Sequence, residues 1–324
     1  MINCLVVRRW NRSGGGAVDI RMDLRQPFRH ADLIRSGAFT RHHLVDGRFH
    51  RLFPGVSVDR AVDATMAVRA VGAVLVHPDA VVMGHAAAGL WHAELDPDDV
   101  TVDLAVSPGG RRTAPGLRLH RVDLPDDEVA RARPGVQCTT PARTAFDLAR
   151  WLPLGEAVVA IDALAGKTGL ALDDVRTIAA AHPGGRDVLA VEPVLAWVDP
   201  RSRGAAQSRR RVRLLVRGVP VPRVEQRLLD ADDARVADLP LAWPEARTGL
   251  TAQPGTARRA REIGWQLLET GVGAPVDGVV TWLRRSLERW DPPPRLGTPD
   301  APRLPPSPEG DGTCDGGLSR LVEA

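Results

Sequence analysis

The sequence predicts a chain of the α+β class that contains more than one folding unit. Segments with apolar residues at every second position, typical of strands, alternate with segments whose apolar residues have helical spacing. With 324 residues, of which 44% are hydrophobic and 26% charged, the chain has the composition of a folded protein with room for two or three cores. A run of about 18 apolar residues, as a membrane span requires, does not occur.

Changes in composition divide the chain into five predicted parts. Residues 1–21 are predicted to be a disordered extension, because a better-patterned segment opens at Met22. Residues 22–60 form a compact basic unit, residues 61–200 a longer α+β unit and residues 201–290 a third unit. Residues 291–324 are rich in Pro and Gly without periodicity, which predicts a disordered tail.

Charge and cysteine content narrow the function classes. The net charge is only +3, but Lys167 is the single lysine, so arginine supplies nearly all of the positive charge. Arginine offers a planar fork to phosphates and guanine edges, although a GC-rich genome also favours its codons, so local clusters matter more than the total. The three cysteines, Cys4, Cys138 and Cys314, are scattered. They predict neither a disulfide framework nor a zinc site, and a cytoplasmic protein is expected.

The basic unit has the element order of a winged helix-turn-helix. "HADLIRSG" (30–37) predicts a short helix that Gly37 ends. "FTRHHLVDG" (39–47) predicts a second helix with Thr40 as its N-cap. "RFHRLFPGVSV" (48–58) predicts a basic β-hairpin. In a winged helix-turn-helix the second helix enters the major groove, and the wing lies along phosphates.

This order places a set of candidate DNA-binding residues on the second helix and the wing. They are Thr40, Arg41, His42, His43, Arg48 and Arg51. The alternative is a small helical subdomain whose Arg and His side chains are simply solvated. Neighbouring helical residues diverge by about 100°, so His42 and His43 are not expected to share a metal ion. No cofactor is predicted for this unit.

The middle unit is predicted from three patterns. "VLVHPDAVVMGHAAAGLWHAEL" (74–95) predicts a buried helical stretch, and "DVTVDLAV" with "GLRLHRV" predicts a β-hairpin. "TPARTAFDLARWL" predicts a helix with Thr140 as N-cap and Pro141 at its first position. On that helix Asp147 is expected to pair with Arg143 or Arg150 as a structural contact.

Several blocks of the first two units resemble AbiEi-family antitoxin-like proteins. The opening "PFRHADLIRSGAFTRHHLVDGRFHRLFPGVSV" is similar to their winged helix, and "VVMGHAAAGLWH", "TVDLAVSPGGRR", "GLRLHRVDLP" and "TTPARTAFDLAR" resemble successive blocks of their middle domain. The order and spacing of the blocks carry the resemblance. One departure is that the segment before Phe28 is too short for a full first helix. The resemblance implies binding to double-stranded DNA and, as a partner, a nucleotidyltransferase-like toxin.

The third unit resembles, by its order of elements, an endonuclease domain of the very-short-patch-repair type, which has the restriction-endonuclease-like α/β fold. "AAQSRRRVRLLVRGVP" predicts a helix, and "PRVEQRLLD", "ARVADLPLAW" and "RTGLTA" predict three strands. "IGWQLLET" predicts a later strand and "VDGVVTWLRRSLERW" a closing helix. In that family the first helix carries a Glu, and two strands carry an Asp and a Glu, which hold Mg²⁺.

The carboxylates of that family are missing from this chain. The matching positions hold Gln207, Pro240 and Thr251. Phosphodiester hydrolysis at such a site needs carboxylates to hold the metal that activates water, so no catalysis is expected here. The alternative is a displaced site at Asp238, which a strand places on the same face as Pro240, with Glu225 or Glu245 approaching it.

These observations together predict a DNA-binding, antitoxin-like protein, a transcriptional autoregulator of a type IV toxin-antitoxin-like or defence locus, with a catalytically inactive nuclease-like domain. Two alternatives stay open. One is an active metal-dependent DNA endonuclease that uses Mg²⁺ at the displaced site. The other is a protein whose middle unit mainly holds a toxin partner.

Overall fold

Strands and helices alternate along most of the chain in the computed structural model. The structure describes residues 4–10, 17–37, 39–44, 47–93, 95, 99–107, 113–133, 135–271 and 273–287. The predicted disordered tail, 291–324, lies outside the described residues. None of the described helices is long and apolar enough to cross a membrane.

The chain opens with a hairpin where the sequence predicts a disordered extension. Strands β1 (Cys4–Trp10) and β2 (Ala17–Asp23) pair antiparallel, with Cys4 opposite Asp23. Both strands are seven residues long, and β2 crosses the boundary that was predicted at residue 21.

The described residues of the basic unit form one helix and a three-stranded sheet. Its elements are β3 (Phe28–Arg29), α1 (His30–Ser36), β4 (Phe49–Phe53) and β5 (Val56–Asp59). The sheet order is β3-β5-β4, and both pairings are antiparallel. The prediction of the first helix and of the basic hairpin is confirmed. Gly37 ends α1 in the left-handed conformation, with φ 78°, and its N–H donates to the carbonyl of Ile34.

The prediction of a second helix capped by Thr40 is wrong. The helical part is a single 3-10 turn, His42–Leu44. The Thr40 backbone N–H donates to Nδ1 of His43 at 3.3 Å, so His43 holds the turn in the way that a capping side chain was expected to. Leu44 of this turn packs in a small core with Leu24, Phe28 and Leu33.

The middle unit is a five-stranded mixed sheet. One helix precedes its first strand and another follows it. The elements are α2 (Met66–Val76), β6 (Val81–Met83), α3 (Gly84–Leu90), β7 (Val102–Val106), β8 (Leu117–Arg121), β9 (Val129–Arg133) and β10 (Val136–Thr139). The sheet order is β8-β7-β6-β10-β9. The prediction of one continuous helix over 74–95 is wrong, because β6 interrupts it. The predicted hairpin is also wrong, because β7 and β8 pair parallel.

Four helices follow this sheet. They are α4 (Pro141–Trp151), α5 (Leu154–Thr168), α6 (Leu172–Ala181) and α7 (Val191–Leu195). The N-cap prediction for α4 is confirmed, since Oγ1 of Thr140 accepts the N–H of Arg143 at 3.3 Å and Pro141 occupies the first turn.

The third unit contains every element that the sequence predicts. It consists of α8 (Ala205–Val216), β11 (Arg223–Leu229), β12 (Arg235–Trp243), β13 (Thr248–Thr251), α9 (Thr256–Glu262), β14 (Gln266–Glu269) and α10 (Val276–Leu287). The sheet order is β11-β12-β13-β14, with only the last pair parallel. The short helix α9 was not predicted.

The packing crosses both predicted unit boundaries. Leu52 and Phe53 of β4 belong to the same buried core as α2 and the middle sheet. Val212 of α8 belongs to the core of α4, α5 and α7. The described residues between 4 and 287 accordingly form one compact unit, in which the boundaries at residues 60 and 200 are changes of composition rather than gaps in the packing.

Candidate nucleic-acid interface and nuclease-like pocket

All six candidate DNA-binding side chains of the basic unit are exposed to solvent. They are called here the basic face: Thr40 and Arg41 before the turn, His42 and His43 in it, Arg48 before β4 and Arg51 in β4. The buried residues beside them, Leu44 and Leu52, anchor the turn and the strand from which these side chains project. The residues that the sequence assigned to a helix therefore lie in or next to a turn, and those assigned to the wing lie in or next to β4.

An aromatic cluster connects the two halves of the basic face. The Phe39 ring lies 6.0 Å from the His43 ring and 5.7 Å from the Phe49 ring, measured between centroids. The guanidinium carbon of Arg48 lies 5.8 Å from the centroid of the same Phe39 ring, within the range of a cation–π contact. Phe39 thus contacts both the turn and the start of the wing. The sequence pattern does not predict this role for Phe39.

A histidine beneath the wing adds no positive charge. Nε2 of His30 lies 2.8 Å from Oγ of Ser57, the residue paired with Arg51 across the β4–β5 ladder. Burial lowers the pKa of His30, and the positive charge of Arg51 lowers it further. Both effects favour the neutral form of His30, so Arg51 is the main cationic group at this point of the wing.

The three positions that would hold a metal in a nuclease converge in the third unit. Gln207, Pro240 and Thr251 line one pocket of about 20 Å³ between α8, β12 and β13. Nε2 of Gln207 donates to the carbonyl of Pro240 at 3.0 Å and to Oε1 of Glu225 at 2.9 Å. The three residues that block order assigned to one site therefore lie together in the fold.

The lining of this pocket contains no carboxylate among the described residues. The remaining lining residues are Arg210, Leu241, Leu250, Ala252 and Thr270. Arg210 is only 7% exposed, and its guanidinium donates to the carbonyl of Gly271 and to Oγ1 of Thr270. Within the described ranges no group of three or more His, Cys, Asp or Glu residues is arranged to hold a metal ion.

The carboxylates of the displaced-site hypothesis line a different cavity. Asp238 and Glu225 open onto a cleft of about 590 Å³ that is also lined by Arg203, Gln226, Arg227 and Arg235. Nε of Arg203 lies 2.7 Å from Oε2 of Glu225, and Arg235 pairs with Asp238. Each carboxylate therefore already has a guanidinium partner.

The structure separates Asp238 from the pocket of Gln207, Pro240 and Thr251. Asp238 and Pro240 line two different cavities. The alternation of β12 breaks at Pro240, because Leu239 and Leu241 pack into different cores. On the neighbouring strand β11, Glu225 lies between Val224 and Gln226, which pair with Leu241 and Leu239. Its backbone is left-handed, with φ 56°.

Glu245 does not join this group. Its Oε1 lies 3.0 Å from Nη2 of Arg223, at the far end of β12. Of the two carboxylates expected to approach Asp238, the structure brings only Glu225 to the same cleft.

Comparison with known proteins gives distant relatives and no family. No protein-family model matches the chain. Two proteins of Mycobacterium tuberculosis are similar to it: "Uncharacterized protein MT2308" of strain CDC 1551 / Oshkosh and "Uncharacterized protein Rv2248" of strain ATCC 25618 / H37Rv. Each is 28% identical over 175 residues, which cover 52% of this chain and 63% of the relative. The match therefore spans less than two thirds of the relatives' length, and their names state no activity.

Proposed function

We propose that this protein binds double-stranded DNA through the basic face and acts as an antitoxin-like transcriptional autoregulator. The observation that carries the proposal is the exposure of three arginines and two histidines on one small unit, supported from below by an aromatic cluster. Cationic side chains on a rigid support release counterions from the DNA backbone, which supplies most of the affinity of such proteins.

The two parts of the basic face have different roles in this proposal. Arg48 and Arg51 lie on or next to the wing and contact phosphates, which position the protein without reading sequence. Arg41 and His42, on the turn, reach base edges. His43 holds the turn through its bond with the Thr40 N–H. Recognition from a turn replaces the recognition helix that the sequence had predicted.

The wider context of the proposal comes from the resemblance in the sequence. The order of the AbiEi-like blocks supports a toxin-antitoxin-like or defence locus, a cytoplasmic location and a nucleotidyltransferase-like toxin as partner. The nuclease-like unit is proposed to be non-catalytic, because the pocket at its expected metal site presents an arginine, an amide and hydroxyls. Carboxylates are the ligands that Mg²⁺ takes from protein at sites of this kind.

A metal-dependent endonuclease is the second candidate function. It is favoured by the single observation that Asp238 and Glu225 line one cleft. The two ion pairs with Arg235 and Arg203 oppose it, because a divalent cation would have to displace both guanidiniums.

The double variant Arg48→Ala/Arg51→Ala tests the DNA-binding proposal. We expect weaker binding by a similar factor to a fragment from upstream of the protein's own gene and to an unrelated fragment of equal length. If both arginines contact phosphates, the slope of log affinity against log salt should also fall by about 2. Filter binding at several salt concentrations measures both quantities.

The matched control is Arg121→Ala/Arg131→Ala, which removes two exposed strand arginines of the middle sheet. Its affinity and salt slope should equal those of the unmodified protein.

In contrast, Arg41→Ala should cost specificity, about 1–3 kcal/mol for one base pair of the preferred fragment. Absence of duplex binding at low salt would refute the proposal. Equal losses of affinity in the test and control variants would show that the wing does not contribute to DNA binding.

A further inference from the structure

Histidines are concentrated in the basic unit. Of the nine histidines in the chain, four lie between residues 22 and 60: His30, His42, His43 and His50. Histidine is the side chain whose charge changes most readily between pH 5 and pH 8. The protonation of these four side chains therefore decides how positive the proposed DNA-binding surface is at a given pH.

The structure holds two of the four in the neutral form. Nδ1 of His43 accepts the backbone N–H of Thr40 at 3.3 Å, and a ring nitrogen that accepts a hydrogen bond carries no proton. His30 is partly buried beneath the wing, where burial and then the charge of Arg51 lower its pKa. Protonation would cost His43 its bond to the turn, and it would place a second charge beside Arg51.

His42 and His50 differ from that pair, because both are exposed. His42 lies in the 3-10 turn, directly after Arg41. His50 lies in β4, where it pairs with Val58 of β5 in the ladder and is followed by Arg51. Neither imidazole forms a hydrogen bond or an ion pair with any residue in the part of the chain that the structure describes. Both are therefore free to take up a proton.

The charged groups around these two histidines offer no carboxylate to a protonated imidazole. Asp32 is paired with Arg35, and Asp59 accepts the backbone N–H of Ala61. The other charged side chains on the described elements and loops that pack against the turn and β4 are cationic: Arg29, Arg41, Arg48, Arg51, Arg60 and Arg69.

Double-stranded DNA supplies the negative charge that this surface lacks. A phosphate oxygen beside an imidazole favours its charged form, because opposite charges attract. A protonated imidazole also donates hydrogen bonds from both ring nitrogens, whereas the neutral ring donates from one. If the complex favours the charged form more than the free protein does, protons are taken up on binding, and the affinity rises as the pH falls.

We infer that DNA binding at the basic face is coupled to protonation of His42 and His50, so that the protein holds DNA more tightly at lower pH. His50, which is not among the six residues of the basic face, contacts a phosphate from the wing. His42 donates from the turn to acceptor atoms of a base edge, such as N7 and O6 of guanine. This coupling rests on the proposed function, because it requires that the basic unit binds DNA.

Duplex binding by the full chain at pH 6 and at pH 8 tests the coupling. Filter binding is measured at several matched salt concentrations, with the fragment from upstream of the gene and with the unrelated fragment. One phosphate contact by protonated His50 should make the salt slope at pH 6 steeper by about 0.9, which corresponds to about eightfold higher affinity at 0.1 M salt. The preference for the upstream fragment should also be larger at pH 6, because protonated His42 reads a base edge.

Two double variants separate the histidines from other causes of pH dependence. His42→Gln/His50→Gln removes both titrating groups, so its salt slope at pH 6 should equal that of the unmodified protein at pH 8. His42→Lys/His50→Lys carries permanent charges, so its slope at pH 8 should reach that of the unmodified protein at pH 6.

The matched control is His92→Asn, which removes an exposed histidine of the middle unit. Asn tolerates the left-handed backbone of this position, where φ is 63°. This variant should keep the full pH dependence.

The outcomes distinguish this inference from the proposed function. DNA binding with the same affinity and salt slope at pH 6 and pH 8 would overturn the coupling and leave the proposed function intact. A pH dependence that persists in His42→Gln/His50→Gln would assign the titration to other groups and would also overturn it. Absence of duplex binding at both pH values and low salt would refute the proposed function itself.

Discussion

The ion pair between Arg211 and Asp162 is a buried charged contact between α8 and the middle unit. Nη2 of Arg211 lies 2.6 Å from Oδ2 of Asp162, and the two side chains are 2% and 1% exposed. Oδ1 of Asp162 also accepts the backbone N–H of Asp199 at 2.7 Å, and Arg211 donates to the carbonyl of Trp197. Burial raises the pKa of Asp162, and the charge of Arg211 opposes that rise. Removing one partner would therefore cost more stability than the attraction within the pair contributes, because the other charge would stay buried and unpaired.

The variant Asp162→Ala should lower the free energy of unfolding by about 3–5 kcal/mol, because it leaves the Arg211 charge buried and unpaired. Urea unfolding of the variant and the unmodified protein measures the difference. The matched control is Glu192→Ala, which breaks a two-pronged but exposed pair with Arg176 and should cost at most about 1 kcal/mol. Equal costs for the two variants would contradict the importance of burial.

Ion pairs between residues that are close in the sequence can be predicted from it, whereas pairs between distant residues cannot. The pairing of Asp147 with Arg143 or Arg150 follows from helical spacing, and the structure has both pairs, at 3.0 and 2.6 Å. The same buried network includes Glu128, paired with Arg143, and His182, whose Nε2 lies 2.8 Å from Oε1 of Glu128. Local spacing cannot predict these members, because the chain separates His182 from Glu128 by 54 positions.

At the scale of single elements, helix α4 shows which local signals decide the structure. Thr140 and Thr40 each look like an N-cap in the sequence, but only Thr140 is followed by Pro and by an eleven-residue helix with a buried face. That face buries Ala145, Phe146 and Leu148, so packing supports what the cap begins. After Thr40, the turn contributes one buried residue, Leu44, which is too little to stabilise a helix.

Removal of the α4 cap by Thr140→Ala should cost about 1 kcal/mol of stability, because the N–H of Arg143 loses its acceptor. Thr177→Ala is the control, since this exposed threonine lies inside α6 and caps no helix start. Its effect should stay within about 0.5 kcal/mol. Chemical denaturation of both variants tests the difference, and a larger loss for Thr177→Ala would contradict the role of the cap.

Two errors at this scale have different physical causes. In the segment 74–95 nearly all residues are apolar or small, so its periodicity cannot separate the buried strand β6 from the helices around it. The strands β7 and β8 have the right alternation for a hairpin, but the ten residues between their ends are long enough for the chain to return and pair parallel. Strand direction depends on such connections and not on the strand pattern.

At the scale of the whole molecule, continuous packing is the main feature that composition did not indicate. Helix α3 contributes Ala87 and Leu90 to the core that also contains buried residues of β4 and β5. It contributes Ala88 to the core that contains residues of α5 and α8. Changes in composition locate linkers only where few contacts cross them. Here buried side chains cross at both predicted boundaries, so the basic face and the nuclease-like unit are held by connected cores.

The nuclease-like pocket shows how far a comparison of blocks can reach. Gln207, Pro240 and Thr251 were assigned to one site by their order alone, and they line one pocket. Arg210 was missed because Arg209, Arg210 and Arg211 are consecutive, and a run of arginines normally reads as a solvated surface. Only the packed orientation of α8 shows that Arg210 and Arg211 are buried while Arg209 remains partly exposed.

The whole-molecule prediction with the sharpest outcome is that the full chain does not cut DNA. Hydrolysis requires a metal that lowers the pKa of the attacking water and stabilises the phosphorane-like charge. The pocket that matches the nuclease site has no carboxylate among the described residues, and the carboxylates of the cleft, Glu225 and Asp238, are paired with arginines. Plasmid, linear and mismatched DNA incubated with the protein and Mg²⁺ or Mn²⁺ should therefore remain intact to the same degree as with Asp238→Asn. Metal-dependent cleavage that disappears in both Asp238→Asn and Glu225→Gln would establish the displaced site and refute the non-catalytic assignment.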